Sequence, residues 1–367
     1  MSEIDPSIQP ISSGIEVPLT FSGEHEPASV APKPTLKRLF VGDDGLRAGW
    51  SVLVFLLLVV LLSVCSGFVT KHWHLIPDAP AKAADGSTVL SPRVAAIGEF
   101  LQFAMLALAA YLMSLIERRP FGRYGLGTTR MLPDFLTGLF WGFAALSLLV
   151  GALLAMHAIA FDGMLLHGTT ALAYALKWAL VFLFVGLFEE FLFRGYLLYT
   201  VSRGVAGITR AMDPANKYSH AIGFWVSAAI FSVAFFMVAH LGNGGENWIG
   251  ILQVGLVGIV FAFSLYRTGS LWWAVGMHAS WDWAQSYFYG TADSGTIAIG
   301  RLMGSHAVGS KLLSGGADGP EGSVLGIPTL LLMLVVIHFT LPKRVYPLTA
   351  DQSAVAGGAD EKQIAAG

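Results

Sequence analysis

Residues 181–198 read VFLFVGLFEEFLFRGYLL and place Glu189, Glu190 and Arg194 inside an otherwise apolar run. About 20 apolar residues in a helix span the hydrocarbon core of a bilayer, and this run is part of such a stretch. A charged side chain at the centre of a bilayer costs roughly 2.5–3.5 kcal/mol on insertion scales. Three of them in one span predict a membrane helix that carries a functional site.

The composition of the whole chain agrees with a membrane protein. Of its 367 residues, 54% are hydrophobic and 13% are charged, whereas soluble domains are about one-quarter charged. The apolar runs are continuous rather than alternating, which favours helices over a spanning β-barrel. The formal net charge of −2 indicates no nucleic-acid partner, and the lipid bilayer is the predicted environment.

Eight apolar runs predict an all-α, polytopic bundle of about eight transmembrane helices. The predicted spans are Trp50–Thr70, Val94–Leu115, Phe135–Ala158, Leu172–Tyr199, Ile222–Leu241, Trp248–Tyr266, Leu271–Phe288 and Val324–Leu341. They lie in a membrane domain of residues 46–345. Residues 1–45 and 346–367 lack apolar runs and are predicted to be disordered cytoplasmic tails.

The basic residues predict the orientation of the bundle. With the N-terminus inside, fifteen of the 22 Lys and Arg residues fall in cytoplasmic segments. Five fall outside, namely Lys71, Lys82, Arg93, Arg301 and Lys311, and Lys177 and Arg194 lie within spans. Since positive residues collect on the cytoplasmic side, both termini are predicted to be cytoplasmic. The predicted location is the plasma membrane of a bacterium, that is, its inner membrane.

Two further segments carry weaker signals. Residues 290–322 are rich in Gly and Ser, contain GGADGPEG at 315–322, and are predicted to be a flexible outer connector rather than a functional lid. Gly138 and Gly142 are spaced to permit close helix packing.

Polar residues at membrane depth occur on three predicted helices. Glu190 and Arg194 are four residues apart and share a helical face, so they are expected to pair. Glu189 then points about 100° away and is free to act as a general acid or base. His278 and Asp282 are also four residues apart, so the acid can orient or charge the imidazole. His240 ends the fifth helix.

The depth of these groups is a further expectation. At about 1.5 Å per residue, Glu189 and His278 lie roughly 15 Å and 12 Å from the cytoplasmic ends of their helices. His240 lies roughly 27 Å from the start of its helix, too far out to meet them. A later start or a tilt of that helix, or an inward loop, would bring His240 to the same depth.

The three motifs resemble those of the CPBP family of intramembrane proteases. That family includes the type II CAAX prenyl endopeptidases and bacterial relatives linked to bacteriocin processing and immunity. The matching residues occur in the family's order, over a predicted catalytic core of about 172–288: Glu189-Glu190-x-x-x-Arg194, Phe236-x-x-x-His240 and His278-x-x-x-Asp282. The tail and the Gly-rich loop are not part of the resemblance.

The resemblance implies hydrolysis of peptide bonds in membrane-associated proteins or peptides, with CAAX-type lipidated proteins as one substrate class. Glu189 is then the general base, and His240 positions the attacking water. Glu190 and Arg194 support the site, and His278 and Asp282 line the oxyanion position. Asp282 replaces the Asn of the eukaryotic members. Because an ionised carboxylate cannot donate a hydrogen bond, Asp282 would have to be protonated or would orient His278 instead.

Members of the family have been described as metal-dependent and as glutamate-dependent. Glu189, His240 and His278 offer three ligands for zinc or another divalent metal with an open fourth position. His-Glu-x-x-His, which places two ligands on one helix, is absent from the sequence. We therefore expect metal-independent chemistry.

Two other classes of function also fit buried Glu, His and Arg. A proton-coupled transporter places such residues along its path, although the sequence has no internal repeat of the kind found in many transporters. A non-catalytic immunity or scaffold protein of the membrane is the other alternative.

Overall fold

The computed structural model describes residues 39–343, with gaps at 43–44, 77–80, 83–87, 244 and 246. Most of the first predicted tail and all of the second lie outside the described residues. The end of the first tail is described, and there Val41–Gly42 (β1) pairs antiparallel with Gly45–Leu46 (β2). This short antiparallel pair precedes the first membrane helix.

Six helices in the described part of the chain are long and apolar enough to cross a membrane, and they match the first six predicted spans. They are Ala48–His72 (α1), Pro92–Glu117 (α2), Met131–Ala155 (α3), Gly168–Met212 (α4 and α5), Ser219–His240 (α6 and α7) and Trp248–Thr268 (α8). The prediction of an all-α polytopic membrane fold is confirmed.

The last two predicted spans correspond to shorter helices. Trp272–Asp282 (α9) has 11 residues and continues into six more, Trp283–Phe288, in π-helical form. After a short helix at Lys311–Ser314 (α10), Gly326–Thr340 (α11) has 15 residues. Neither reaches the roughly 20 residues that cross a bilayer directly. Residues 273–277 of α9 are all buried, so this helix is enclosed by its neighbours.

Two of the long helices contain π-helical turns. The longest comprises Gly168–Glu190 (α4), the π-helical Phe191–Tyr196 and Leu197–Met212 (α5). The next comprises Ser219–Ser227 (α6), the π-helical Ala228–Phe235 and Phe236–His240 (α7). Gly195 leaves helical geometry at φ −84° and ψ −108°. A Cβ there would lie 2.6 Å from the Phe191 ring, so only glycine fits.

Helices α3 and α9 approach closely. A Cβ on Gly138 or Gly142 would lie 2.2 Å from the backbone oxygen of Trp273 or Met277 respectively, and one on Gly276 would lie 2.3 Å from the oxygen of Phe135. The spacing of Gly138 and Gly142 therefore serves close packing, as predicted. This contact fixes the height of α9, and with it His278, in the bundle.

Residues 290–322, here named the outer segment, are not a structureless connector, so that prediction is wrong. Met303–Ala307 (β7) pairs antiparallel with Ile159–Met164 (β5). Thr296–Ala298 (β6) pairs in parallel with Thr88–Leu90 (β4), which pairs with Ala81–Lys82 (β3). Single 3₁₀ turns lie at Phe121–Tyr124 and Pro320–Gly322. Asp318 is fully buried, and so is Ser323, the residue that follows the segment. The segment therefore packs onto the bundle.

The largest apolar cluster encloses the π-helical turn after α4. Phe191, Tyr196 and Leu198 are buried there with residues of α6 and α8. The Tyr196 ring stacks on Phe55 of α1 at 4.1 Å between centroids. The residues that follow the Glu189–Glu190 pair are thereby held from several sides.

Candidate active site

Each of the three sequence motifs borders a π-helical turn. Glu189 and Glu190 directly precede Phe191–Tyr196, and Phe236–His240 directly follows Ala228–Phe235. Asp282 directly precedes Trp283–Phe288. Such turns occur frequently at functional sites because they interrupt the regular helical ladder. The sequence motifs alone gave no sign of them.

Glu190 and Arg194 form a fully buried ion pair. Their side chains are 0% exposed, and Arg194 Nη1 lies 3.2 Å from Glu190 Oε1. Arg194 Nη2 donates to the Ser232 carbonyl at 3.3 Å, and the guanidinium lies 4.0 Å from the centroid of the Phe236 ring. The expected pair is present, and Arg194 also ties α4 to the fifth membrane helix.

The ring nitrogens of His278 face the carboxylates of Glu189, Glu190 and Asp282. Its Nδ1 lies 3.0 Å from Glu190 Oε1, a contact that the sequence analysis did not predict. Its Nε2 lies 3.5 Å from Asp282 Oδ2 and 3.8 Å from Glu189 Oε2. Since a carboxylate only accepts hydrogen bonds, Nδ1 donates to Glu190. A proton on Nε2 would then offset the two carboxylates that face it.

The imidazole of His278 is also fixed by packing. Its ring stacks on Phe261 of α8 at 5.4 Å between centroids and 21° between planes. Its side chain is 12% exposed. Packing on one face and the Glu190 hydrogen bond together determine the direction of Nε2.

Glu189 differs from Glu190 in its surroundings. Its side chain is 22% exposed. Among the described residues, its buried Oε2 accepts no hydrogen bond. Glu99 of α2, which the sequence analysis did not single out, interacts electrostatically with it. Glu189 therefore has a carboxylate oxygen that no described protein group satisfies with a hydrogen bond.

His240 stands apart from the other motif residues. Its Nδ1 lies 2.9 Å from the Phe236 carbonyl. Within the described part of the chain, no hydrogen bond or ion pair joins it to Glu189 or His278. The Ser232 carbonyl, which Arg194 contacts, lies eight residues earlier, or roughly 12 Å along a helix. Since the helix starts at Ser219, not later than the predicted Ile222, a later start does not bring His240 inward.

A cavity of about 80 Å³ joins His240 to the other motif helices. It is lined by Phe236, His240, Gly250, Gln253, Val254, Val257, Phe261, Met277, His278, Trp281, Asp282, Glu321 and Leu330. A water needs about 10–15 Å³ of such space and polar partners, so the cavity has room for several. Glu189 is not among the lining residues, but its Oε2 reaches the same ring edge of His278 as Asp282.

Gln253 and Glu321 are lining residues that the sequence analysis missed. Gln253 of α8 is 3% exposed, and its Nε2 donates to the backbone oxygens of Glu321 and Ser323. Glu321 Oε1 accepts from Ser294 N at 2.6 Å. A lone Gln in an apolar span was the available signal for Gln253, whereas an acid in a polar loop gives none.

Glu321 and the outer-segment residues bonded to it form the roof of this cavity, and Asp293 directly precedes one of them, Ser294. Ser286 Oγ donates to Asp293 Oδ2 at 2.6 Å. Burial raises the pKa of the Asp293 carboxyl, and the hydrogen bond from Ser286 opposes that effect. The outer segment thus brings two carboxyl groups, Asp293 and Glu321, to the end of the site that this segment covers.

The side chains do not fit the three-ligand metal site that the sequence allowed. Among the described residues, no group of three or more His, Cys, Asp or Glu side chains is arranged to hold a metal ion.

Residues 170–284 match the family model described as Type II CAAX prenyl endopeptidase Rce1-like. The matched segment is less than a third of the 367-residue chain, and it contains all six motif residues. No curated protein and no solved structure matches the chain. The resemblance inferred from the motifs is confirmed, and it supports a CAAX-type intramembrane endopeptidase in general terms.

Proposed function

We propose that this protein hydrolyses peptide bonds of membrane-associated substrates with Glu189 as general base. The observation that carries the proposal is the convergence on His278. Three carboxylates from two helices face its ring, which forms part of the wall of a cavity with room for several waters. A buried structural ion pair needs only Glu190 and Arg194, so the additional acids indicate chemistry.

The reaction begins with a water held at the edge of the His278 ring that Glu189 Oε2 faces. Glu189 removes one proton from it, and the water oxygen forms a bond to the carbonyl carbon of the substrate. The resulting oxyanion collapses, the C–N bond breaks, and Glu189 returns its proton to the leaving nitrogen. The products are a carboxylic acid and an amine, and Glu189 is restored. A positioned general base contributes about 10²–10⁴-fold to such a rate.

His240 is suited to orient the attacking water. A carbonyl oxygen only accepts, so His240 Nδ1 must donate to Phe236. In the neutral ring, Nε2 then carries a lone pair that can accept a hydrogen bond from water. The role expected from the family resemblance is therefore compatible with this tautomer.

His278 is the proposed stabiliser of the oxyanion. With Nδ1–H bonded to Glu190, a proton on Nε2 would be available to developing negative charge. Asp282, 3.5 Å from Nε2, would favour that proton and orient the ring. This assignment gives Asp282 the orienting role and does not require the carboxyl to donate.

The proposed function also includes a class of substrate, a metal-independent reaction and a membrane. We infer a protein or peptide substrate, including lipidated CAAX-type proteins, and metal-independent chemistry. We also infer a bacterial inner membrane, and the excess of basic residues in the predicted cytoplasmic loops supports an orientation with both termini inside. Metal analysis of the active, purified protein is expected to find no stoichiometric metal, and loss of activity on chelation would contradict this part.

The central test is Glu189→Gln, which keeps the shape of the side chain but removes the base. Peptide termini of the membrane proteome are compared by mass spectrometry in cells with the wild-type protein and with the variant. Cleavage products should fall about 10²–10⁴-fold while the amount of folded protein is unchanged.

Glu117→Gln is the matched control. Glu117 is also an acid at a membrane helix, but it accepts a hydrogen bond from the Tyr196 hydroxyl at 2.9 Å, away from the cavity. Its products should match those of the wild type. Cleavage that persists in Glu189→Gln would overturn the mechanism, and a proton flux in proteoliposomes that disappears in the same variant would favour transport.

A further inference from the structure

A second cavity, of about 370 Å³ and here named the outer cavity after the segment that lines it, lies between the β5–β7 pair and the rest of the outer segment. Its lining residues are Ile159, Thr291, Ala292, Gly295, Ile297, Arg301, Ser305, His306, Ala307, Ser314, Gly316, Ala317, Gly319 and Pro320. No Asp or Glu is among them. Its size is that of a small-molecule site, which typically occupies about 300–1,000 Å³, and the proposed hydrolysis does not use it.

Arg301 is the one arginine among these lining residues, which include no lysine. Among the described residues its guanidinium forms no hydrogen bond and no ion pair, and its Nε is buried without a partner. Buried polar groups in folded proteins are nearly always hydrogen-bonded. Arg194 Nε is likewise without a hydrogen bond, but the Nη atoms of Arg194 bond to Glu190 and to the Ser232 carbonyl, whereas those of Arg301 bond to no described residue. Arg301 therefore presents donors that the described protein residues do not satisfy.

Ser305, which lines the same cavity, has a second polar group without a hydrogen-bond partner. Its Oγ is buried and, like Arg301 Nε, has no partner in the described structure. The neighbouring His306 is already within 3.0 Å of Asp162 Oδ1, so that acid is directed to the histidine. A ligand that accepts hydrogen bonds would satisfy both Arg301 and Ser305.

The turn that carries Arg301 is fixed before any ligand arrives. The Ile299 carbonyl accepts from Trp178 Nε1 at 3.0 Å, and Leu302 N donates to the Tyr287 carbonyl at 2.7 Å. Gly300 has a φ of 72°, and a Cβ there would lie 2.3 Å from the Tyr174 ring. A fixed backbone lowers the ordering cost of binding.

We propose that this outer cavity binds a small molecule or peptide end through an oxyanion, a carboxylate or phosphate group. The planar guanidinium of Arg301 matches the two oxygens of such a group, and the Ser305 hydroxyl adds a third donor. The site is distinct from the cavity at His278 and does not depend on the proposed peptidase activity.

The two cavities share structural supports. Gln285, in the π-helical turn after Asp282, donates from Nε2 to the Ala292 carbonyl at 3.0 Å. Pro320 lines the outer cavity, and the next residue, Glu321, lines the inner one. A bound anion would therefore sit directly behind the roof of the candidate active site.

Binding to the full chain in lipid nanodiscs tests the proposal by calorimetry at low salt. The probes are inorganic phosphate, acetyl-tetra-alanine with a free carboxylate, and the same peptide as an amide. At least one anionic probe should saturate a single site, and the amide should not. The probe that binds identifies the source as phosphate or peptide carboxylate, and the affinity should fall as salt is raised.

The variants identify the residues responsible. Arg301→Gln should weaken binding at least about tenfold, as expected for loss of a charge-assisted contact. Arg93→Gln, which removes an exposed positive charge at the start of α2, should change it less than about twofold. Arg301→Lys and Ser305→Ala should weaken it to intermediate degrees, and they provide the measurement if Arg301→Gln does not fold.

Two results would overturn the proposal. One is the absence of saturable binding of either anionic probe to the wild type. The other is an affinity that Arg301→Gln and Arg93→Gln reduce equally, since that indicates only a diffuse surface charge. Glu189→Gln should bind as the wild type does, so a failure of the proposed peptidase mechanism leaves this test intact.

Discussion

The motif helices and the outer segment contribute to the same cavity, yet they differ in how visible they are in the sequence. Glu189, Glu190 and Arg194 stand out because charge in an apolar run is energetically expensive. Glu321 lines the cavity equally, but an acid in a Gly-rich polar stretch carries no such penalty. A functional side chain is conspicuous only where its surroundings make it costly.

The largest expected change in the free energy of unfolding concerns the buried ion pair of Glu190 and Arg194. Arg194→Met should leave Glu190 buried with His278 as its remaining polar partner. Breaking a buried ion pair typically costs about 3–5 kcal/mol, so the free energy of unfolding should fall by that amount in detergent titrations followed by circular dichroism. Arg93→Met, at an exposed position, should change it by less than about 0.5 kcal/mol. Equal effects would contradict a central role for the pair.

An intermediate effect is expected where α3 meets α9. A Cβ on Gly142 would lie 2.2 Å from the Met277 oxygen, whereas one on Gly151 of the same helix meets nothing within 4 Å. Gly142→Ala should destabilise the protein by about 1–3 kcal/mol and reduce cleavage, because His278 follows Met277. Gly151→Ala should have little effect on either unfolding or cleavage. If the two variants behave alike, the height of α9 is not set by this contact.

The smallest effect is expected in the outer segment and concerns pH. Because burial raises the pKa of Asp293 above its ordinary value of 3.8, the folded protein holds this proton more tightly than the unfolded chain. Stability is then highest below the unfolded-state pKa and falls as pH rises through the folded-state pKa. Asp293→Asn removes that loss, so thermal unfolding from pH 4 to pH 8 should show a flatter profile than in the wild type. Asp162→Asn, at a half-exposed site in β5, should retain the wild-type slope. A slope that is also retained in Asp293→Asn would show that burial of Asp293 does not cause the loss of stability.

Contacts within one helix were predictable from spacing alone. Glu190 and Arg194 are one helical turn apart, so their pairing followed from the period of the helix, as did the shared face of His278 and Asp282. The long apolar helices followed from composition for a similar reason, since each run satisfies a local requirement of the bilayer.

Contacts between helices were not predictable in the same way. Glu190 contacts His278 because of how far α4 and α9 are shifted along each other in the bundle. That relative position cannot be deduced from the sequence of either helix alone. The position of His240 depends in the same manner on how the fifth membrane helix stands beside α4. Gln253 and Glu321 meet only because the outer segment folds back over α8.

The π-helical turns have a consequence for helical-wheel diagrams of this protein. An i→i+5 turn holds one residue more than an α-helical turn, so the side chains after it are rotated relative to those before it. A single wheel drawn for residues 168–212 would therefore assign the wrong face to much of α5. The faces of each motif-bearing helix have to be counted separately on either side of its π-helical turn.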